Sequence, residues 1–117
     1  MKLTALLLAA LLAAPPAVSL RISTPFQFAP GYQRIAVVIE PHPANRTYCF
    51  IYDSDTGDAG SKCADLDGGS PRTRWIDLKR LPAGHYGAIA RVERAGEGVI
   101  SSAAVQWEVV ETVPQAR

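Results

Sequence analysis

From Ile22 onward, apolar positions recur at every second residue in short runs, and the runs are cut at intervals by clusters of Pro, Gly and Asp. A period of two marks a strand with one buried face, because successive side chains point to opposite sides of a sheet. Ile22 to Phe28 reads as a first strand, closed by Ala29-Pro30-Gly31, and Arg34 to Glu40 as a second, with Ile35, Val37 and Ile39 on one face. Pro41-His42-Pro43 ends it, since proline has no N–H to give to a ladder. Thr47 to Tyr52 is a third strand, aromatic and β-branched. Asp53 to Ser70 is polar, Gly-rich and acidic, and reads as a long loop with room for one short edge strand.

Alternation resumes from Arg72 to Lys79, with Arg74, Ile76 and Leu78 on one face and Thr73, Trp75 and Asp77 on the other. Tyr86, Ala88, Ala90 and Val92 mark the next strand. A hairpin turn around Ala95-Gly96-Glu97-Gly98 leads to the last, Val99 to Val110, where Ala103, Val105, Trp107 and Val109 share a face. No stretch past the N-terminal run has an apolar period of 3.6, and no internal repeat occurs. The pattern predicts an all-β domain.

The N-terminus obeys a different rule. Lys2, then a Leu/Ala run from Leu3 to Ala14, then Pro15-Pro16, have the charged, apolar and small-residue order of a secretory signal peptide. The run is too short to cross a bilayer as a helix. Ala17-Val18-Ser19 places small residues where a signal peptidase needs them, so cleavage is expected before Leu20, with Ala14 and Ala17 as lesser sites. The expected division is residues 1–19 as signal peptide, 20–112 as the domain and 113–117 as a fraying tail. No cysteine follows the run to take a lipid, and no twin arginine precedes it. A secreted or periplasmic protein is expected.

Removal of Lys2 leaves basic side chains equal in number to the 11 acidic ones, which argues against nucleic acid and anionic membranes as partners. The 2 cysteines, Cys49 and Cys63, both lie in the exported part, where an oxidising compartment favours one disulfide.

Leu81-Pro82-Ala83-Gly84-His85-Tyr86-Gly87-Ala88-Ile89-Ala90-Arg91-Val92 resembles the corner before the penultimate strand of bacterial immunoglobulin-like and fibronectin-type-III-like domains. The resemblance implies an immunoglobulin-like antiparallel β-sandwich of about seven strands, with Leu81, Gly84 and Tyr86 forming the corner and the tyrosine hydroxyl bonding back to its backbone. By position the strands would be A, B and C, then E, F and G after the acidic loop. An antibody-type domain carries its cysteines in B and F, whereas Cys49 lies in C and Cys63 just beyond it, so the pair reads as a staple pinning the acidic loop to strand C.

Candidate chemistry is sparse. Asp53, Asp55 and Asp58 in the acidic loop are the residues a calcium ion would use, although an EF-hand would need its glycine and a terminal glutamate at other positions. His42 and His85 are candidate copper or zinc ligands, but the only methionine is Met1 and no blue-copper ligand set results. No catalytic motif appears, and an enzyme is not expected. Asn45-Arg46-Thr47 is a glycosylation sequon. The expected function is a non-catalytic accessory or interaction domain that binds a protein or glycan through its loops or a sheet face. The alternatives are calcium binding in the acidic loop and a small secreted inhibitor of a hydrolase or protease. Trp75 is the candidate anchor, provided that no bulge shifts its phase and that the stems of Arg72 and Arg74 do not cover its indole.

Overall fold

The computed structural model describes residues 16–67 and 70–111. Most of the expected signal peptide and the 113–117 tail fall outside that range. Among the described residues there is no helix, and nine strands form two sheets. They are β1 (Val18–Ile22), β2 (Phe26–Phe28), β3 (Gly31–Ile39), β4 (Asn45–Ser54), β5 (Gly60–Asp65), β6 (Thr73–Leu81), β7 (Gly84–Arg94), β8 (Gly98–Ser101) and β9 (Val105–Val110). One sheet has the order β1-β3-β6, and the other β2-β9-β7-β4-β5 with β8 on β7. This is an immunoglobulin-like sandwich with sheets A-B-E and A′-G-F-C-C′. Strands A and G are each broken in two, which reconciles nine segments with a seven-strand plan.

The core lies between Ile35, Val37 and Ile39 of β3 on one side and Phe50, Ala90, Val92 and Val109 of the larger sheet on the other, all buried. Their period of two carries them inward in register, as Ile35 opposite Ile76 and Phe50 opposite Ala90 show. Tyr86 stacks on Trp107 with ring centroids 5.3 Å apart.

The expected first strand, Ile22 to Phe28, is two strands in different sheets. Val18, Leu20 and Ile22 of β1 face the core and pair antiparallel with β3. After Ile22 the chain crosses over, and β2 runs parallel to β9, so the sandwich is not wholly antiparallel. Gln33 supplies the reason. Its buried carboxamide accepts from the backbone N–H groups of Ser23 (2.9 Å) and Thr24 (3.1 Å) and from the Ser23 hydroxyl, and donates to the Thr24 carbonyl at 2.6 Å. The crossing backbone is thereby satisfied without a ladder, and Pro25 brings no N–H that needs one. β1 also takes in Val18, only 2% exposed, and Ser19, both ahead of the expected cleavage point.

The Asp53–Ser70 stretch holds a full strand. β5 pairs with β4 over six residues, and Cys49 lies directly opposite Cys63, joined by a disulfide with Cα atoms 4.0 Å apart. A disulfide of this kind belongs to an oxidising, extracytoplasmic setting. The last expected strand is interrupted at Ser102–Ala104, which leaves Ala103 exposed and off the shared face. There Ser102 replaces a ladder pair: its hydroxyl accepts from Ala90 N–H and donates to the Ala103 carbonyl.

Gln33→Met keeps the side-chain volume but leaves the backbone of Ser23 and Thr24 without partners. It should destabilise the domain by about 2 to 3 kcal/mol in chemical denaturation, with an unchanged fold by circular dichroism. A loss below about 0.5 kcal/mol would show that water satisfies the crossover.

Candidate functional site

Two surfaces carry the residues singled out by the sequence. The first gathers around the corner between β6 and β7. Leu81 is buried, and the Tyr86 hydroxyl donates to the Pro82 carbonyl at 2.6 Å, closing the turn on itself. Leu81 reaches the core through a bulge at which Arg80 takes φ 56°, a left-handed conformation that non-glycine residues rarely adopt. Gly84 is not there for an unusual φ. A Cβ on it would lie 2.5 Å from Thr56 Cγ2 and 2.8 Å from Asp55 Oδ1, so the missing side chain is what lets the β4–β5 turn sit against the start of β7.

That contact brings Asp55 to His85. The Asp55 carboxylate accepts from the His85 backbone N–H at 2.9 Å and meets its Nδ1 at 3.0 Å, while Nε2 faces Glu108 of β9 at 3.4 Å. The His85 backbone N–H, and after it the imidazole, hold the Asp55 carboxyl below its ordinary value. The hydrogen bond to Asp55, then the charge of Glu108, raise the imidazole above its ordinary 6.5. His85 thus bridges the β4–β5 turn and β9.

The candidate calcium ligands do not converge. Asp53 points outward from β4, Asp55 is turned to His85, and Asp58 accepts from the Tyr52 hydroxyl at 3.4 Å. Among the described residues no group of three or more His, Cys, Asp or Glu side chains is placed to hold a metal ion. His42 is far from His85 in role: its Nδ1 accepts from Ala44 N–H at 3.0 Å, holding the turn after β3. The sequon asparagine is engaged through both atoms of its amide, donating to the Glu40 carbonyl and accepting from Arg94 Nε at 2.8 Å.

The second surface is the outer face of β1-β3-β6. Alternation along β6 turns Ile76 into the core and Trp75 out, 55% exposed. No bulge intervenes there, and the cation over the indole is neither Arg72 nor Arg74. It is Arg34 from β3, its guanidinium carbon 4.5 Å from the ring centroid. Arg74 points the other way and lies over Tyr48, with its Nε buried and unpaired. Beside Trp75, the Asp77 carboxylate accepts from the Tyr32 hydroxyl at 2.8 Å and lies 3.8 Å from Arg34 Nε. Sequence alternation found Trp75 and Asp77. It did not find Tyr32 and Arg34, because they join the patch only through the β3–β6 register, in which Arg34 faces Asp77.

No protein-family model matches the chain, and no curated protein does. Solved structures do match. A superoxide reductase (neelaredoxin) from Ignicoccus hospitalis aligns at TM-score 0.56 and 17% identity, over 78% of this chain and 80% of its own. A myokine structure aligns at 0.52 and 9%, over 83% and 99%. The third fibronectin III domain of the human KIAA0343 protein aligns at 0.42 and 18%, over 90% and 87%. At these identities the likeness to the first two is one of fold alone.

Tyr86→Phe removes a single hydroxyl and leaves the Pro82 carbonyl unpaired, so the domain should lose about 1 to 3 kcal/mol in urea denaturation. A change below about 0.3 kcal/mol would place the stability of the corner elsewhere.

The His85 bridge has a pH window. A raised imidazole value means that its contribution is complete below 6.5 and is lost as pH rises through the raised value. A lowered carboxyl value means that the Asp55 contribution is present above the ordinary carboxylate range and is lost as pH falls through the lowered value. The bridge is therefore tightest in mildly acidic solution. In an NMR titration the His85 imidazole should have a midpoint above 6.5, and Asp55→Asn should bring it down; a wild-type midpoint at or below 6.5 contradicts the bridge.

Proposed function

We propose that the chain is a non-catalytic recognition domain, secreted or periplasmic, which engages a protein partner through the outer face of β1-β3-β6. The observation that carries this reading is Trp75, which stands 55% exposed on a strand whose next residue is core. An indole left in water beside an exposed tyrosine and an arginine assembles the three side chains most enriched at protein hot spots. Each offers a large contact area together with a hydrogen-bonding group. A stacked sugar is the weaker fit, because the Arg34 guanidinium already stands over the indole. The Cys49–Cys63 disulfide supports action outside the cytoplasm.

Trp75→Ala tests the reading. It should alter stability by no more than about 1 kcal/mol, since only an exposed cation–π contact and surface area are lost. Retention of extracytoplasmic proteins on the immobilised domain should fall away with the same substitution. A large loss of stability would make Trp75 a packing residue, and unchanged stability with unchanged retention would remove this face as the site.

A further inference from the structure

Acidic and basic side chains are nearly equal in number over the chain, and on the smaller sheet the cations outnumber the carboxylates. On the outer face of β1-β3-β6 the register sets Arg21 opposite Ala36 and Ala36 opposite Trp75, so an arginine and a tryptophan flank one small residue in a single row. The next row sets Arg34 opposite Asp77, and Lys79 follows on β6. Asp77 is already engaged by Tyr32 and Arg34. Arg21 and Lys79 are exposed and belong to no ion pair among the described residues. The outer face of the larger sheet carries both signs: Asp53, Asp65 and Glu93 point outward from β4, β5 and β7 with Arg91 among them, and Asp55 and Glu108 lie around His85.

From the two unpaired cations on this face we infer that it docks an acidic protein surface, one that sets carboxylates on Arg21 and Lys79 and an apolar or hydrogen-bonding group against Trp75 and Tyr32. The inference rests on the Trp75 face being the binding face. Charge complementarity favours such a partner: two unpaired cations flank the exposed aromatic rings, and no unpaired anion lies among them. Opposite potentials across an interface steer encounter and fix its register, whereas like charges repel wrong partners. Asp77 decides between kinds of acidic partner. Its carboxylate lies in the middle of the patch, where a continuous polyanion such as a sulfated polysaccharide would have to pass over it. A protein surface can place separate carboxylates on the two cations and leave Asp77 its existing partners.

The test uses the full mature domain and fluorescein-labelled dodecapeptides in which Glu alternates with Leu or Tyr, read by anisotropy. The control series has Gln at every Glu, and dextran sulfate serves as the polyanion. The acidic series should bind more tightly than the amide series and weaken as salt is raised. Arg21→Glu with Lys79→Glu, and separately Trp75→Ala, should each weaken that binding by roughly tenfold or more, whereas Arg91→Glu on the other sheet should leave it unchanged. These substitutions lie at exposed positions, and circular dichroism verifies that each variant is folded. No saturable binding of the acidic series up to about 1 mM, or dextran sulfate binding with the same residue dependence while the acidic peptides do not bind, overturns the acidic-protein partner. If both peptide series bind, lose binding with Trp75→Ala and ignore the charge reversal, the face binds but its partner is not acidic. If no series depends on Trp75, the binding face itself is misassigned.

Discussion

The sandwich depends on one carboxamide. The chain leaves the smaller sheet at Ile22 and joins the larger at Phe26, and the crossing backbone between them is held by Gln33, a fully buried polar residue. Backbone amides that leave one ladder before entering another must find partners or forfeit part of the gain of burial. Because Gln33 lies on β3 beside Ile35, its grip on Ser23 and Thr24 fixes where β1 ends. That sets the register in which Val18, Leu20 and Ile22 meet the core. The same crossing delivers β2 to the edge of β9, so the N-terminal segment ties both sheets together.

The far end of the molecule relies on close approach instead. Gly84 admits the β4–β5 turn, the turn brings Asp55 to His85, and the imidazole reaches on to Glu108. Tyr86, two residues along, closes the corner on Pro82 from the core side and stacks on Trp107. A run of three residues thus serves packing, turn docking and a surface bridge in turn, each side chain pointing where alternation sends it. This clustering commits Asp55, one of the turn's carboxylates, to the neighbouring strand.

The two sheet faces have different chemistry because they have different obligations. The larger sheet bears a disulfide between opposite residues on its edge and charges of both signs, Arg91 beside Glu93, while the smaller presents aromatic rings and cations around Asp77. Its three strands are covered by the core on one side only, and the outward positions are free of packing duties. Ala36 is the exception, almost covered although it points outward, because larger neighbours in its row and the next close over it.

The sequence by itself determined the fold class and much of the core. Period-two alternation marked Ile35, Val37, Ile39, Ala88, Ala90 and Val92 as inward, and it turned Trp75 outward, because burial of one sheet face writes itself directly into the order of residues. Tertiary structure alone decided where strands break and which ones pair. Ile22 to Phe28 reads as one strand interrupted only by Thr24-Pro25, and what holds its two halves in different sheets is a glutamine from another strand. Val18 fits both a cleavage site and a strand, since small and apolar residues serve a peptidase and a sheet equally well, and only the structure shows that β1 takes it in. β5 has no alternation to reveal it, being an edge strand formed by the ladder with β4 and the disulfide. The Trp75 patch was legible only in the half that β6 contributes. Tyr32 and Arg34 lie more than forty positions from Asp77, and only strand register, a relation between distant segments, puts them side by side.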